Sequence, residues 1–377
     1  MQIKPLSYLE INSKNAVNNV KEFRSLLKKD TKVLACIKAN AYGHGDVEIV
    51  QILNNYVDYF QVNSIEEFNR IYKFSQKPIF IFGYLNKDGI QTAILGGAII
   101  SAFDYQHLSE INSIALKLHK KATVHIAIDS YLGREGIMPN DLNKIVLAIK
   151  KMKNIILEGA YSHFANIEDT TNSIHSNKQV QIFNDCIKIL RDNGFPDIQT
   201  HISATSGILV HEKKENKNDL VRLGIGLYGM WPSSHLEMIN RKDIILKPVL
   251  KWVTHVAQVK VLPANHTIGY GLTYVTKKKT IIAVIPVGYA DGLTRSMSNN
   301  GFFLIKGKMA KILGRVSMNM TVVDVSNIKN IKSGDEVVVI GTQNKLEIKA
   351  EDIARSIETI NYEVTTKISV LLPRIIK

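Results

Sequence analysis

Cysteine is nearly absent: Cys36 and Cys186 are the only two in 377 residues. One chain can therefore assemble neither a disulfide framework nor a Cys-rich zinc centre, and free thiols are the expectation. Long hydrophobic runs are missing too. The longest nearly uncharged apolar stretches, 93–103 and 281–290, fall well short of the ~20 residues that span a bilayer. The opening MQIKPLSYLEIN has no continuous apolar segment of the signal-peptide kind, so a cytoplasmic protein without membrane attachment is expected. Proline (9) and glycine (23) are not in excess, which excludes collagen-like and low-complexity chains.

The balance of 45% hydrophobic and 22% charged residues is the ordinary globular mix, and the length suggests about two domains with ample chain for a core. Lys and Arg total 48 against 34 Asp and Glu, a formal charge of +14. The basic residues are scattered as doublets, and the densest run, 277–279, lies between two strand-like segments. No recognition helix, RNP or zinc-finger pattern accompanies them, so a Lys-rich surface is expected rather than a nucleic-acid partner.

Over the first 230 residues short apolar or β-branched runs alternate with amphipathic stretches, the pattern of βα units on a parallel sheet. Eight strand candidates fall at 33–39, 59–64, 78–83, 98–103, 121–129, 154–163, 197–204 and 219–228, with helix-like spacing between them, as at 104–119 and 175–193. Eight of each predict a (β/α)8 barrel; an open doubly wound sheet is the alternative if fewer strands are real. After Pro232 helical periodicity fades and strands are expected at 251–262, 280–286, 301–313, 320–325 and 336–340. A helix at 349–358 and a final strand at 367–372 follow. The expected domains are 8–235, a barrel, and 236–377, an all-β domain to which residues 1–7 could be joined.

In such a barrel chemistry sits at the C-terminal ends of the strands. The first strand ends on Lys38 in CIKANAYGHG. A lysine desolvated by its neighbours can attack a carbonyl as the neutral amine, although alone it reads as an ordinary strand-end lysine. The eighth strand runs into VRLGIGLYG at 221–229, whose small residues let backbone N–H groups approach an anion, and the seventh ends in SATSG. The loops after strands 7 and 8 are the usual phosphate site of this fold. Arg222 lies on the strand feeding that cradle, and arginine is one of two residue types that partner the ring nitrogen of pyridoxal 5′-phosphate (PLP).

VLACIKANAYGHG (33–45), GAYSHFA (159–165), VRLGIGLYG (221–229), GYGLTY (269–274), VGYADG (287–292), GRVSM (314–318) and IETINYEV (357–364) together resemble, in order and through nearly the whole chain, the motifs of the alanine racemase family. The resemblance implies a PLP-binding barrel, a C-terminal β domain and a homodimer whose active sites use both subunits. By it, Lys38 holds PLP and handles the α-proton on the D face, and Tyr270 of the other subunit serves the L face. A tyrosine, with a pKa of ~10, is a weak base unless assisted; the family assists it through the positions of His163 and Arg222. Thr205, Gly224 and Ile225 match the phosphate cradle, with Tyr42 and Tyr362 near the phosphate and the entrance. Arg134 and the Met318 backbone N–H match the carboxylate site; Tyr289, Arg295, Arg315 and Glu168 match the access channel. The implied activity is interconversion of L- and D-alanine, supplying D-alanine as a peptidoglycan precursor for the cell wall. No metal and no nucleic acid are implied.

Three positions depart from the family. Ala127 stands where a carbamylated lysine supports the carboxylate-binding arginine, so the negative partner of Arg134 is missing or replaced, by a bound anion or by Glu135. Asn319 replaces an aspartate, and Thr205 a phosphate-binding serine. These leave open a racemase of other amino acids, such as serine or basic ones. A decarboxylase or aldolase of the same fold is opposed by Arg222 with Tyr270, and a non-catalytic PLP-binding protein by Tyr270 with the second domain.

Overall fold

The computed structural model describes residues 5–212 and 218–377, which divide into two compact units. The first strand, β1 (Tyr8–Ile11), belongs to the second unit. The next eight are β2 (Lys32–Cys36), β3 (Tyr59–Val62), β4 (Ile79–Ile81), β5 (Ile99–Ala102), β6 (Ala122–Ala127), β7 (Ile155–Tyr161), β8 (Gln199–His201) and β9 (Leu220–Leu223). They form one parallel sheet in the order β8-β7-β6-β5-β4-β3-β2-β9. The two ends of that order are joined by the Asp219 N–H donating to Thr200 O at 3.1 Å and the Arg222 N–H to Ser203 O at 3.0 Å. The sheet therefore closes into the expected barrel, and the open-sheet alternative is excluded.

The strands are buried along most of their length, as parallel strands between helices and a filled interior must be. The helices wrap the outside with one apolar face. In Tyr105–Lys117, His107, Leu108, Ile111 and Ala115 are buried at three- and four-residue spacing, and the Asp104 carboxylate caps the start by accepting from the His107 N–H. Among the described residues no helix is long and apolar enough to cross a membrane.

The second unit comprises residues 5–15, Tyr42–Glu48 and Pro248–Lys377. Its further strands are β10 (Leu250–His255), β11 (Gln258–Leu262), β12 (Thr267–Ile268), β13 (Tyr274–Val275), β14 (Thr280–Ile285), β15 (Phe302–Ile305), β16 (Lys308–Lys311), β17 (Thr321–Asp324), β18 (Glu336–Gln343), β19 (Leu346–Ile348) and β20 (Arg374–Ile376). One sheet runs β16-β15-β18-β10-β1-β20 with β19 on β18; a second is β11-β14-β17, and β12 and β13 form a hairpin.

Several expected boundaries move. β1 pairs antiparallel with β10 (Tyr8↔Val253) and parallel with β20 (Leu9↔Arg374), so residues 8–15 leave the barrel for the other unit, while 236–247 stay with the barrel. The strand expected over 251–262 is two strands in different sheets, because the chain turns at Val256 and Ala257, whose N–H groups go to Asp335 O and Val284 O. The run 301–313 is a hairpin folded at Lys306 and Gly307, both at positive φ. No strand forms over 367–372. A helix, Asn361–Thr366, occupies the preceding residues, and the Ile368 and Leu372 N–H groups bond locally to Thr365 O and Ser369 O rather than to a ladder.

Candidate active site

Lys38 follows β2 by two residues, at the C-terminal end of the barrel strands. The chain then makes a left-handed turn: Ala39, Asn40, Ala41 and Tyr42 have φ of 52, 53, 52 and 54°. For residues with a Cβ this conformation costs roughly 1–2 kcal/mol each, so it persists only where its backbone is held. The Ala41 N–H reaches Ile37 O at 2.8 Å, and the Ala39 N–H donates to Glu67 Oε1 at 2.6 Å. The other Glu67 oxygen accepts the Asn63 N–H at 2.6 Å. Ser64 caps the helix Ile65–Ile71, which sets Glu67 where one carboxylate ties together the loops after β2 and β3.

Arg222, on β9, is 2% exposed. Its Nη1 lies 2.7 Å from His201 Nδ1 and 3.2 Å from His201 O. Nη2 donates to Ser162 O and Ile202 O at 2.8 and 2.9 Å and lies 3.1 Å from His163 Nδ1. Among these contacts only the Nε–H remains uncommitted. The guanidinium also sits 5.5 and 5.7 Å from the ring centres of Phe82 and Tyr161. Burial lowers its pKa to about 10, so it is a fixed cation at neutral pH. Because a guanidinium only donates, His163 Nδ1 must accept, and the proton of the neutral ring is on Nε2. Burial, with the nearby charges of Arg222, Arg134 and Lys38, lowers the pKa of His163 to about 3. The Cys36 thiol rises to about 11 because its burial outweighs the pull of the Lys38 and Arg222 cations. β2 and β9 are neighbours in the sheet, with Leu34 opposite Arg222 and Ala35 opposite Leu223, which brings Lys38 and Arg222 to one end of the barrel.

The loops after β8 and β9 meet at Thr205. Thr205 Oγ1 accepts from the Gly224 and Gly226 N–H groups at 3.1 and 3.3 Å, which leaves its own hydroxyl proton to donate, and Ile225 is buried between them. A Cβ on Gly226 would lie 2.5 Å from the Phe23 ring and 2.9 Å from Thr205 Cγ2. Gly226→Ala is therefore expected to displace Thr205 and weaken binding of a phosphate-bearing cofactor by about tenfold or more, as overpacking of a filled site costs roughly 1–3 kcal/mol. Equilibrium titration with PLP checks this, and unchanged affinity contradicts it.

On the third side, Asp129 Oδ1 accepts the Leu132 and Gly133 N–H groups at 2.8 and 3.0 Å and folds the loop that carries Arg134. The exposed Arg134 guanidinium pairs through two nitrogens with Glu135. Glu135 thus supplies the negative partner, while Ala127, 1% exposed, sits opposite Tyr161 in the β6–β7 register. Glu168 accepts the Ser206 hydroxyl at 2.7 Å.

The remaining candidates belong to the second unit. The Tyr42 and Tyr362 rings pack at a tilt of 50°, 6.0 Å between ring centres. Arg374 steadies their loop by donating to Gly43 O from Nη2 at 2.9 Å, and a Cβ on Gly43 would fall 2.0 Å from Thr365 O. Tyr270, 72% exposed, is at the tip of the β12–β13 hairpin between Gly269 and Gly271, at φ of 73 and 70°. Its base is anchored by Ile268 and Tyr274 in a cluster with Ile282 and Leu313. Arg315 lies against the same turn, since a Cβ on Gly271 would meet its Nη1 at 2.6 Å. The loops of Tyr289 and Met318 are tied by the Tyr289 N–H to Ser317 O and the Ala290 N–H to Met318 O. Arg295 is exposed in the short turn Arg295–Met297.

Sequence reasoning missed Glu67, His125, Tyr161 and His201. The signal available for the last three was a polar or aromatic residue inside an otherwise apolar strand run, which in a barrel points into the filled interior.

Residues 11–232 match the family model for the alanine racemase N-terminal domain and residues 249–376 that for the C-terminal domain. Alanine racemase 1 of Caldanaerobacter subterraneus subsp. tengcongensis is 38% identical over 361 residues, 95% of this chain and 91% of that one. The solved alanine racemase of Clostridium difficile superposes with a TM-score of 0.92 at 32% identity, covering 100% of this chain and 97% of that one. The alanine racemase of Bartonella henselae, solved with covalently bound pyridoxal phosphate, superposes with a TM-score of 0.84 at 25% identity, covering 99% and 100%. Both halves match one family in order, over a barrel end that carries Lys38, the buried Arg222 and the Thr205–Gly224–Gly226 turn: the chain is an isomerase belonging to the alanine racemase family.

Proposed function

We propose that the chain interconverts L- and D-alanine as a PLP-dependent homodimer, with Lys38 handling the α-proton on the D face and Tyr270 of the partner subunit on the L face. The observation that carries this reading is Arg222: a fully buried cation, held by backbone carbonyls and two histidines, in the same neighbourhood as Lys38 and the Thr205 cradle. The residues fit PLP. Lys38 offers an amine to its aldehyde; the Thr205 hydroxyl and the Ile225 N–H offer donors to its phosphate, with the Gly224 N–H holding Thr205 in place and no room for a side chain at Gly226; Arg222 offers its Nε–H to the ring nitrogen. Tyr42 and Tyr362 complete the surroundings. The covalently bound pyridoxal phosphate of the Bartonella henselae relative supports the assignment.

When bound, PLP supplies an electron sink that acidifies the substrate Cα–H bond. This chain's residues do the rest. Arg222 keeps its proton, so it donates to the ring nitrogen without charging it, which moderates the sink and disfavours side reactions. Arg134, through the Nη1 that its pairing with Glu135 leaves uncommitted, and the Met318 N–H hold the substrate carboxylate, and a hydrogen bond between two charged groups is among the strong ones. Inversion needs one group to remove the α-proton and a second to deliver one to the opposite face, each within hydrogen-bond reach. Lys38, on a barrel strand end, and Tyr270, on the exposed tip of a β hairpin, suit these two places, with the His163 Nε2–H available to the tyrosine. Tyr289, Arg295, Arg315 and Glu168 line the access route. We assign the product D-alanine to cell-wall synthesis in the cytoplasm.

A hybrid dimer tests the shared site. Lys38→Ala and Tyr270→Phe proteins are each expected to be inactive, but a mixed dimer has one site with both native bases. Random reassortment makes about half the dimers mixed, and half of their sites native, so about a quarter of wild-type activity is expected to return on mixing. No recovery, with exchange of subunits verified by mass, contradicts a site built from two subunits.

A further inference from the structure

Arg222 is the end of a longer chain of buried polar groups. His201 Nδ1 lies 2.7 Å from Arg222 Nη1, His201 Nε2 lies 2.9 Å from His125 Nδ1, and His125 Nε2 lies 3.0 Å from Glu158 Oε2. Arg222, His201 and His125 are 2, 0 and 1% exposed, whereas the Glu158 side chain is 28% exposed. The strands are shaped to allow it. The β6–β7 register passes from Val124↔Leu157 to His125↔Gly159, so Glu158 is a bulged residue outside the ladder, and a bulge re-aims its side chain. Gly159 makes the room: a Cβ there would lie 2.5 Å from His125 Cε1 and Nδ1.

The chain has only one consistent direction. A guanidinium donates and cannot accept, so His201 Nδ1 accepts and His201 Nε2 carries the proton. That proton is given to His125 Nδ1, which leaves the His125 proton on Nε2, donated to the Glu158 carboxylate. Burial holds both imidazoles below their ordinary pKa, against the opposing pull of Glu158 on His125. Both rings are therefore neutral and in the Nε2–H form.

We propose that Glu158 is a positioning residue for racemisation: its carboxylate, through His125 and His201, fixes the direction of the hydrogen-bond chain that ends on Arg222 and so holds the guanidinium in register with the cofactor ring. The inference rests on the reading of Arg222 as the partner of that ring. A carboxylate at the far end accepts only, so it admits one proton arrangement throughout. An amide offers a donor as well as an acceptor, and an alanine offers neither, so both relax the order to different degrees. Such chains polarise cooperatively, which lets a distal charge matter at the near end.

The test begins with the cofactor-free protein. Nitrogen-15 NMR of labelled histidine is expected to show both His125 and His201 as Nε2–H tautomers; an Nδ1–H form or a charged ring at either position at neutral pH overturns the proposal, whatever any variant does. In the loaded enzyme, Glu158→Gln is expected to lower kcat about tenfold while KM for alanine stays within about twofold, and Glu158→Ala to lower kcat further and mix the tautomers, as expected for loss of a cooperative network. Glu158→Asp is expected to recover part of the loss. Wild-type kcat and unchanged tautomers in both Glu158→Gln and Glu158→Ala overturn it. Absence of PLP binding or of racemisation by the wild-type protein would instead sink the reading of the site and leave the tautomer result standing.

Discussion

Replacing Lys38 by alanine is expected to abolish racemisation in both directions, by more than about 10⁴-fold, because on the proposed reading it removes at once the amine that holds the cofactor and one of the two bases. The fold survives, since Lys38 is only partly buried and the turn behind it is held by backbone hydrogen bonds to Ile37 O and to Glu67, none of which uses the lysine side chain. Unfolding stability is expected to change by less than about 1 kcal/mol. The variant is expected still to bind PLP through the proposed Thr205 site but to lose the absorbance of the covalently held cofactor. Turnover by Lys38→Ala at the wild-type rate, without an added amine, contradicts the assignment.

Tyr270→Phe has the second largest effect, and it is asymmetric. Phenylalanine keeps the ring, and the hairpin that presents it is held by the glycines on either side and by the Ile268 and Tyr274 cluster, so the substitution removes a hydroxyl and little else. Exchange of the L-alanine α-proton with solvent is expected to fall about 10²–10⁴-fold, the range for loss of one acid–base group. Exchange of D-alanine, which on the proposed mechanism needs only Lys38, is expected to persist while net racemisation stops. Unchanged L-alanine exchange removes Tyr270 from the mechanism and leaves the L face without a base.

The barrel was legible in the chain because its strands are short, mostly buried runs that from β2 to β8 are separated by helices with one apolar face, a periodicity that depends on local sequence alone. β1 was not, since Tyr8–Ile11 finds its partners some 240 and 365 residues away, at Leu250–Val253 and Arg374–Ile376, and nothing local encodes that pairing. The region 367–372 was misread for a related reason: Val370 and Leu371 are apolar yet exposed, so an apolar run suggested a strand where the backbone bonds to itself. At the site, Lys38, Thr205 and Arg222 stood out as chemistry at strand ends. The groups that hold them did not. Glu67 acts on the Lys38 turn from a different βα loop, and His201, His125 and Glu158 meet only because three strands lie side by side and β7 carries a bulge. Glu135 as partner of Arg134 was one of two options open in the sequence; the side-chain geometry selects it.

The most direct measurement is α-proton exchange. PLP-loaded protein is incubated in D2O with individual L-amino acids, and deuteration and the D-enantiomer are followed by chiral chromatography with mass detection. Deuterated D-alanine appearing far ahead of any other product is the expected result. Serine or lysine ahead of alanine would keep the two bases but contradict alanine as the substrate, and bound PLP with no exchange of any amino acid would contradict the account of Lys38 and Tyr270 as a pair of bases.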